Sequence, residues 1–279
     1  MSETVRFFVL QAALLGVVLI LHTYLGLHII RRTLVFSDLV LDQLAAFGAL
    51  IAVGLGVEYG ATGTYLASLV AVIFGAALLA WLRPSNPLIP REAVIGILYA
   101  LALVASLLVG DKLPGGGAYV TKTLAGAMLW VSWPLVGVTA VVYAGLLLFH
   151  FLFRARFIGL TQNSGTVQAE RFWDFLFFTT QGIITVLIVP VAGVLLAYAF
   201  LMIPAATAAM FTNKWRSAVV LGWSLGFGSC LIGLGTSHHY DLPYGPSLVL
   251  ALGVLFVGAV FVRSLLPRRM PAITKEVLS

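Results

Sequence analysis

The chain contains 279 residues, of which 61% are hydrophobic and only 9% are charged. A soluble domain has about 25% charged residues, so this chain has too little charge to cover a surface in water. Its net charge is +6, but no basic run is long enough to follow phosphates, so nucleic acid is not an expected partner. The single cysteine, Cys230, excludes an internal disulfide and a multi-cysteine metal site within one chain. We therefore predict an all-α, polytopic membrane protein.

The apolar segments predict how often the chain crosses the membrane, since a helix needs about 20 apolar residues to span the hydrocarbon core. About nine transmembrane helices are predicted, at 7–30, 37–57, 64–82, 93–109, 134–153, 172–189, 193–211, 217–236 and 247–266. The division at Pro190 is open, because 172–211 fits either two spans with a tight turn or one long broken helix. We expect a single membrane domain over 1–279, embedded over about 7–266, with a cytoplasmic tail at 267–279.

The basic residues predict the orientation of these spans, because cytoplasmic loops carry an excess of Lys and Arg. With nine spans and the N-terminus outside, 13 of the 16 Lys and Arg residues fall on inner loops or in the inner tail. Only Arg6, Lys112 and Lys122 fall outside. The first residues lack the features of a removable signal peptide, so the first span is expected to stay in the membrane. We therefore predict an external N-terminus and a cytoplasmic C-terminus.

Two carboxylates stand in the second predicted span. Asp38 and Asp42 are four residues apart, which places both on one helix face. If Arg32 marks the inner surface, Asp42 lies about 15 Å deeper, near the midplane of a core about 30 Å thick. A carboxylate there is costly unless it is paired, hydrated or bound to a cation. We therefore interpret the pair as a transient binding site for a divalent cation or proton. The Gln43 amide lies on an adjacent face of the helix. Alternatively, Asp38 caps the helix start and Asp42 lines a water-filled vestibule.

The remaining polar residues of the spans suit structural roles. Three histidines are expected to be hydrogen-bonded inside the bundle: His22, His28 and His150. Glu92 and Asp174 begin predicted helices, where acids favour the N-terminus. The spacing of Gly222 and Gly226 predicts close helix packing. In an outer loop, His238 and His239 suit docking of a partner better than metal binding, because two histidines leave an ion under-coordinated.

The segment 198–216 begins as an apolar helix, meets Pro204 and ends in a basic turn that carries Lys214 and Arg216. Proline kinks or ends a helix, and the small residues that follow it allow another backbone to approach closely. We expect 203–216 to form a short docking helix at the cytoplasmic surface. The alternative is a proline-containing span that packs against its neighbours.

Two motifs resemble those of permease subunits in the zinc/manganese-type ABC importer family, and the resemblance extends over about 10–266. They read Ile203-Pro204-Ala205-Ala206-Thr207-Ala208 and Tyr240-Asp241-Leu242-Pro243-Tyr244-Gly245-Pro246-Ser247. The resemblance implies a fold like that of the vitamin B12 and siderophore importers, in a homodimer with an ion path along its two-fold axis. It also implies coupling to a cytoplasmic ATPase through the first motif, Lys214 and Arg216. An extracytoplasmic metal-binding protein would dock near His238, His239, Tyr240 and Asp241.

The same resemblance bears on the carboxylate pair. Related permeases have an Asp and, four residues later, a His that are thought to form a metal gate. Asp38 matches the Asp, and Asp42 stands in place of the His. We expect Asp38, Asp42 and Gln43 to line the ion path, while the missing imidazole weakens the expectation of zinc, which nitrogen ligands favour.

These features together predict the permease subunit of an ABC importer in the plasma (inner) membrane of a prokaryote. Its cargo would be a divalent ion of zinc, manganese or iron. The chain itself is not expected to be an enzyme or to hold a cofactor, because its Gly-rich stretch before Lys122 has Thr121 where a phosphate loop needs glycine. ATP would therefore be hydrolysed by a separate subunit. One alternative is a secondary transporter that uses Asp38 and Asp42 as a cation or proton relay; another is a non-transporting membrane assembly or catalytic protein.

Overall fold

The computed structural model describes residues 3–84, 86, 88–125, 131–162 and 167–266, and the predicted tail at 267–279 lies outside them. The described residues contain ten α-helices and no strand. The helices are α1 (Glu3–Arg31), α2 (Phe36–Gly54), α3 (Thr62–Trp81), α4 (Arg91–Lys112), α5 (Gly116–Ala125), α6 (Trp133–Leu152), α7 (Arg154–Gln162), α8 (Glu170–Phe211), α9 (Trp215–His239) and α10 (Tyr244–Leu265).

Prolines and a serine cap mark several helix starts. Pro90 immediately precedes α4 and Pro243 immediately precedes α10, where proline limits N-terminal extension of the helix. The Leu135 N–H donates to Ser132 Oγ at 3.4 Å, and Pro134 occupies the first turn of α6, where it leaves no helical hydrogen bond unmade. These local signals explain why the predicted spans agree with the observed helices to within one helical turn.

Within the described residues, eight helices are long and apolar enough to cross a membrane. Their outward faces carry large apolar side chains, as on α4, α6 and α10, where Leu101, Val141 and Val257 are exposed. Such faces are stable against lipid and would be costly in water. The chain is therefore a multi-pass membrane protein, in agreement with its composition.

Helix α8 reverses direction at Gly193 and so forms two arms. Gly193 has φ 77° and ψ 162°, a conformation that is essentially restricted to glycine. Near the start of α8, Asp174 pairs with Arg32, and just after its end the Asn213 carbonyl accepts from Arg31 at 2.9 Å. A straight helix of 42 residues would be about 63 Å long and could not bring both ends to the adjacent residues Arg31 and Arg32. Of the two alternatives left open for 172–211, the structure contains two arms that run in opposite directions.

The two arms of α8 form the centre of the bundle. The first arm (170–192) packs against α2 and α3, and the second arm (194–211) packs against α1 and α9. At Gly26 of α1, an added Cβ would collide with the Leu201 carbonyl oxygen of the second arm. This close contact explains why a small residue is needed there.

The predicted short docking helix is not a separate element, so that expectation is wrong in its geometry. Residues 203–211 continue α8 to its end, and Pro204, Ala205 and Ala208 are buried. A Cβ at Gly222 of α9 would lie 2.7 Å from the Pro204 oxygen, and one at Gly226 would lie 2.8 Å from its ring. The two glycines thus make room for the proline, and the alternative, a packed proline-containing span, is what the structure contains.

Several arginines predicted for inner loops gather at one end of the bundle, here called the basic end. Arg32, Arg83 and Arg91 meet at Asp174, while Arg154 and Arg216 border one cleft. Helix α9 leads away from this end for 25 residues, about 37 Å, to the predicted docking histidines at the opposite end. These arginines therefore lie at one end of the bundle, and His238 and His239 lie at the other, as the sequence predicts.

Candidate functional site

The two carboxylates of α2 lie inside the protein. Asp38 is in the first turn of α2 and Asp42 follows one turn later on the same face. Their exposed fractions are 2% and 0%. A buried carboxylate has lost its hydration and must be compensated by hydrogen bonds, a proton or a cation.

The first arm of α8 provides a hydrogen-bond donor to each carboxylate. Gln181 Nε2 donates to Asp38 Oδ1 at 2.8 Å, and Thr185 Oγ1 donates to Asp42 Oδ1 at 2.9 Å. Gln181 and Thr185 are also four residues apart, so matching faces of two helices meet. The pairs fix both carboxylates at the interface between α2 and α8.

Several oxygens around this interface have no hydrogen-bond partner among the described residues. They are Asp42 Oδ2, Gln181 Oε1 and the Tyr143 hydroxyl. Tyr143, from α6, stacks on His22 with ring centroids 5.8 Å apart and lies within electrostatic range of both carboxylates. Carboxylate, amide and hydroxyl oxygens are the donors that hard divalent cations prefer.

The pair is not part of a larger cluster of strong ligands. In the part of the chain that the structure describes, no group of three or more His, Cys, Asp or Glu side chains is placed to hold a metal ion. A cation at Asp38 and Asp42 would therefore depend on neutral oxygens for the rest of its ligands. Such a site suits an ion that must leave again.

The third residue expected to line the ion path, Gln43, lies apart from the two carboxylates. Gln43 is buried against α4, where it borders a small void with Leu103 and Ser106 and does not join the carboxylates. Asp38 and Asp42 both accept hydrogen bonds from α8 of the same chain, from donors 143 residues away in the sequence. Their place on an ion path between two copies of the chain stays a prediction.

The histidines occupy the environments that the sequence suggests. His22 Nδ1 lies 3.0 Å from the Val18 carbonyl oxygen, His28 pairs with Thr161 at 2.6 Å and His150 pairs with Thr180 at 2.9 Å. All three rings are buried. The prediction of hydrogen-bonded interior residues is confirmed.

At the opposite end, His238 and His239 point to different neighbours. The His238 ring meets Phe8 edge-on at 5.1 Å, and the His239 ring meets Tyr240 at 4.7 Å. Both are exposed, as are Tyr240 and Asp241. The two imidazoles therefore do not converge on one ion, while their exposure is compatible with contact to a partner.

The sequence also matches a known family of transporters: residues 4–263 fit the sequence model of the ABC 3 transport family. The chain belongs to the ABC 3 transport family.

Individual relatives agree with this assignment. The manganese transport system membrane protein MntC of Halalkalibacterium halodurans is 24% identical over 258 residues, which cover 90% of this chain and 86% of MntC. The high-affinity zinc uptake system membrane protein ZnuB of Haemophilus influenzae is 26% identical over 262 residues, which cover 90% and 96% of the two chains. Among solved structures, PsaBC from Streptococcus pneumoniae in complex with Fab has a TM-score of 0.73 and 23% identity, over 90% of this chain and 91% of that one. The predicted family and permease fold are confirmed.

In this ABC 3 family member, the sequence analysis missed three residues around the carboxylates. Gln181, Thr185 and Tyr143 look like isolated polar residues in apolar spans, and only the fold brings them to α2. One signal was present in the sequence, because Gln181 and Thr185 repeat the four-residue spacing of Asp38 and Asp42. Polar residues so spaced on two spans are candidates for a shared interface.

The role of Asp174 was also underestimated. It was explained as an acid at a helix start, but it is fully buried and pairs with Arg32, Arg83 and Arg91. Glu92, by contrast, accepts the Phe36 N–H at 2.8 Å and so supports the start of α2. The first acid joins several segments of the chain, whereas the second has a local role.

Proposed function

We propose that this ABC 3 family member is the permease subunit of an importer that moves a divalent transition-metal ion into the cytoplasm. The observation that carries the proposal is the buried pair Asp38 and Asp42, with unpaired oxygens around it, in the core of a transport-family protein. A desolvated carboxylate pair repels itself and gains by binding a cation. The pair thus forms a transient binding site for a divalent ion on its way through the membrane.

The composition of the site favours a hard ion. Asp42 Oδ2, Gln181 Oε1 and the Tyr143 hydroxyl would be oxygen ligands, and among the described residues no group of three or more His, Cys, Asp or Glu side chains is placed to hold a metal ion. Manganese accepts such ligands more readily than zinc, which gains from nitrogen and sulfur. Manganese is therefore the cargo we favour over zinc.

The proposal includes partners at both ends of the bundle. The basic end faces the cytoplasm, following the distribution of Lys and Arg. There Lys214, just before α9, and Arg216, in its first turn, are exposed to a separate ATPase, which hydrolyses ATP for transport. At the opposite end, the exposed stretch from His238 to Asp241 receives an extracytoplasmic binding protein. Two copies of the chain form the membrane part of the importer.

Transport would proceed by alternating access. ATP-driven movement of the ATPase subunits displaces the second arm of α8, and Gly193 joins this arm to the first arm, which bears Gln181 and Thr185. A shift between the arms would change how these residues hold the carboxylates and so the population of inward- and outward-open states. Displacement of the second arm at the basic end is thereby coupled to ion binding at Asp38 and Asp42.

The decisive experiment is uptake into liposomes that contain the permease with its ATPase and binding protein. Manganese, zinc and iron(II) are supplied separately, with and without ATP. We expect ATP-dependent uptake, and Asp42→Asn should lower it about tenfold or more, equivalent to about 1.4 kcal/mol of lost interaction. Asp111→Asn is the matched control, because that carboxylate is exposed and pairs only with neighbouring Lys112 at 3.3 Å.

Two results would contradict the proposal. Uptake that ignores ATP and follows a proton or sodium gradient would indicate a secondary transporter that uses Asp38 and Asp42 as a relay. Wild-type rates for every metal in Asp42→Asn would remove the carboxylate pair from the path. Binding of the assembled ATPase to both variants shows that neither loses uptake through misfolding.

A further inference from the structure

A cleft opens at the basic end where α1, α6, α7 and α9 meet, here called the Arg154 cleft. It has a volume of about 520 Å³, and its lining includes Arg154 of α7 and Arg216 of α9. Both arginines are exposed, and among the described residues that line the cleft none is acidic. The Arg154 cleft therefore carries a net positive charge.

One wall of the Arg154 cleft is apolar. It is formed by Leu147 and Phe151, one turn apart on α6, and by Ile158 on α7. Helix α6 packs mainly against α1, and the Phe151 side chain is 59% exposed, so this part of α6 borders the lipid. The apolar wall is thus continuous with the lipid-facing surface, and a fatty acyl chain is the apolar group that reaches it from the bilayer.

The basic side of the Arg154 cleft lies at the depth of lipid headgroups. The Arg154 guanidinium stands 4.9 Å over the Phe151 ring, and the Arg31 guanidinium stands 4.0 Å over the ring of Trp215, which also lines the cleft. Tryptophan and arginine side chains are typical of the boundary between the bilayer core and water. Basic pockets between membrane helices on the cytoplasmic side suit anionic lipid headgroups.

Two buried ring nitrogens of the lining residues have no hydrogen-bond partner among the described residues: His150 Nδ1 and Trp215 Nε1. His150 is only 2% exposed, and its Nε2 lies 2.9 Å from Thr180 Oγ1. The Thr180 hydroxyl gives its own proton to the Phe177 carbonyl oxygen, so it accepts from His150 Nε2. His150 Nδ1 can then accept from a hydroxyl, while the Trp215 N–H can donate to a phosphate oxygen. Buried polar atoms normally have partners, so the cleft lacks a ligand with both groups.

We propose that the Arg154 cleft binds one anionic phospholipid of the cytoplasmic leaflet whose headgroup carries a hydroxyl, as in phosphatidylglycerol. The phosphate lies between Arg154 and Arg216, the headgroup hydroxyl donates to His150 Nδ1, and an acyl chain follows the apolar wall. The lipid thereby fastens α6 and α7 to the start of α9, next to the proposed ATPase contact. The inference goes beyond the proposed function, because it holds for any cargo and uses only the proposed orientation.

The test is a lipid titration of the purified full chain in detergent, with bound lipids counted by native mass spectrometry. We expect one phosphatidylglycerol per chain, bound at least about tenfold more tightly than zwitterionic phosphatidylcholine. Phosphatidylethanol has the same charge without the hydroxyls and should bind about fivefold more weakly than phosphatidylglycerol, through loss of one hydrogen bond. Soluble glycerol 3-phosphate, which has no acyl chain, should not compete.

Matched variants locate the site. Arg154→Gln should weaken phosphatidylglycerol binding about fivefold. Arg156→Gln is the control, because Arg156 is also an exposed arginine of α7 but stands over Trp173 outside the cleft. Ile158→Trp should abolish tight binding without a change of charge, since the larger ring fills the space of the acyl chain.

Four results would overturn the lipid site. The first is equal binding by Arg154→Gln and Arg156→Gln, and the second is competition by glycerol 3-phosphate, which would indicate a site for free phosphate. Loss of phosphatidylglycerol on addition of the ATPase would show that the ATPase covers the cleft. A disulfide between two copies of Ile158→Cys in membranes would show that a second copy covers it. ATP-dependent metal uptake is measured separately, so each of these results leaves the proposed function standing.

Discussion

The Thr185 hydroxyl donates a hydrogen bond of 2.9 Å to Asp42 Oδ1, although the two residues are 143 positions apart in the chain. The bond occupies one carboxylate oxygen and leaves Oδ2 without a partner among the described residues. Asp42 is thereby held in one orientation and keeps an oxygen for an ion.

Replacing Thr185 by valine should weaken both stability and transport. Valine keeps the shape of threonine but removes the donor, which leaves a buried carboxylate oxygen unsatisfied at a cost of about 1–3 kcal/mol. Thermal unfolding in detergent and manganese uptake both test this. Thr236→Val is the control, because the Thr236 hydroxyl bonds only to the Gly233 carbonyl of its own helix. Equal melting temperatures and uptake for the two variants would show that the bond to Asp42 has no role.

Asp42→His should shift metal preference toward zinc. The change introduces a nitrogen ligand next to Asp38, and imidazole favours zinc over harder cations. The ratio of zinc to manganese uptake in the reconstituted complex is the measured quantity. Asp42→Asn serves as the reference, since it removes the carboxylate without adding a nitrogen. If His and Asn give the same ratio, Asp42 does not contact the ion.

Gly222→Ala should destabilise the contact between α8 and α9, whereas Gly228→Ala should not. A Cβ at Gly222 would lie 2.7 Å from both the Pro204 oxygen and Thr23 Cγ2, while a Cβ at Gly228 meets nothing within 4 Å. Overpacking of this kind costs about 1–3 kcal/mol. Thermal unfolding of the two variants in the same detergent compares them directly. A higher melting temperature for Gly222→Ala would contradict the close packing around Pro204.

The orientation of the chain can be tested with introduced cysteines. We expect Lys214→Cys to lie in the cytoplasm and His239→Cys outside, because the basic end should face inward. A membrane-impermeant thiol reagent added to intact cells should then label only position 239. The natural Cys230 is fully buried and provides a silent background. Labelling of position 214 alone would reverse the orientation.

Charge reversal at the turn after α8 should uncouple the permease from its ATPase. Lys214 and Arg216 are exposed, so Lys214→Glu with Arg216→Glu should reduce co-purification of the ATPase without lowering the melting temperature. Arg6→Glu, at the opposite end, controls for the change in net charge.

We also expect Ala206→Trp to uncouple ATP hydrolysis from uptake, since added bulk would disturb the end of the second arm. Coupled uptake at wild-type rate in both variants would exclude this segment from the ATPase contact.

The sequence by itself determined the positions of the long apolar helices, the location of the carboxylates and the grouping of several arginines at one end. These features depend on local properties: the length of apolar runs, the four-residue helical spacing and the positions of charges in loops. The close packing around Gly222 and Gly226 follows from the small size of glycine and was also readable in this way. Even the reversal inside 172–211 was present as an alternative, because Pro190 and Gly193 are both poor interior helix residues.

Only the tertiary structure decided what each polar side chain meets. Asp38 and Asp42 bond to Gln181 and Thr185, and Pro204 continues a helix because α9 leaves space for it. Asp174 gathers arginines from three separate segments, which its own neighbours in sequence do not reveal. In a chain that is apolar nearly throughout, hydrophobic pattern fixes which segments are helices but not how each is rotated about its axis. That rotation is set by close packing and by the few buried hydrogen bonds and ion pairs, whose partners are distant in sequence.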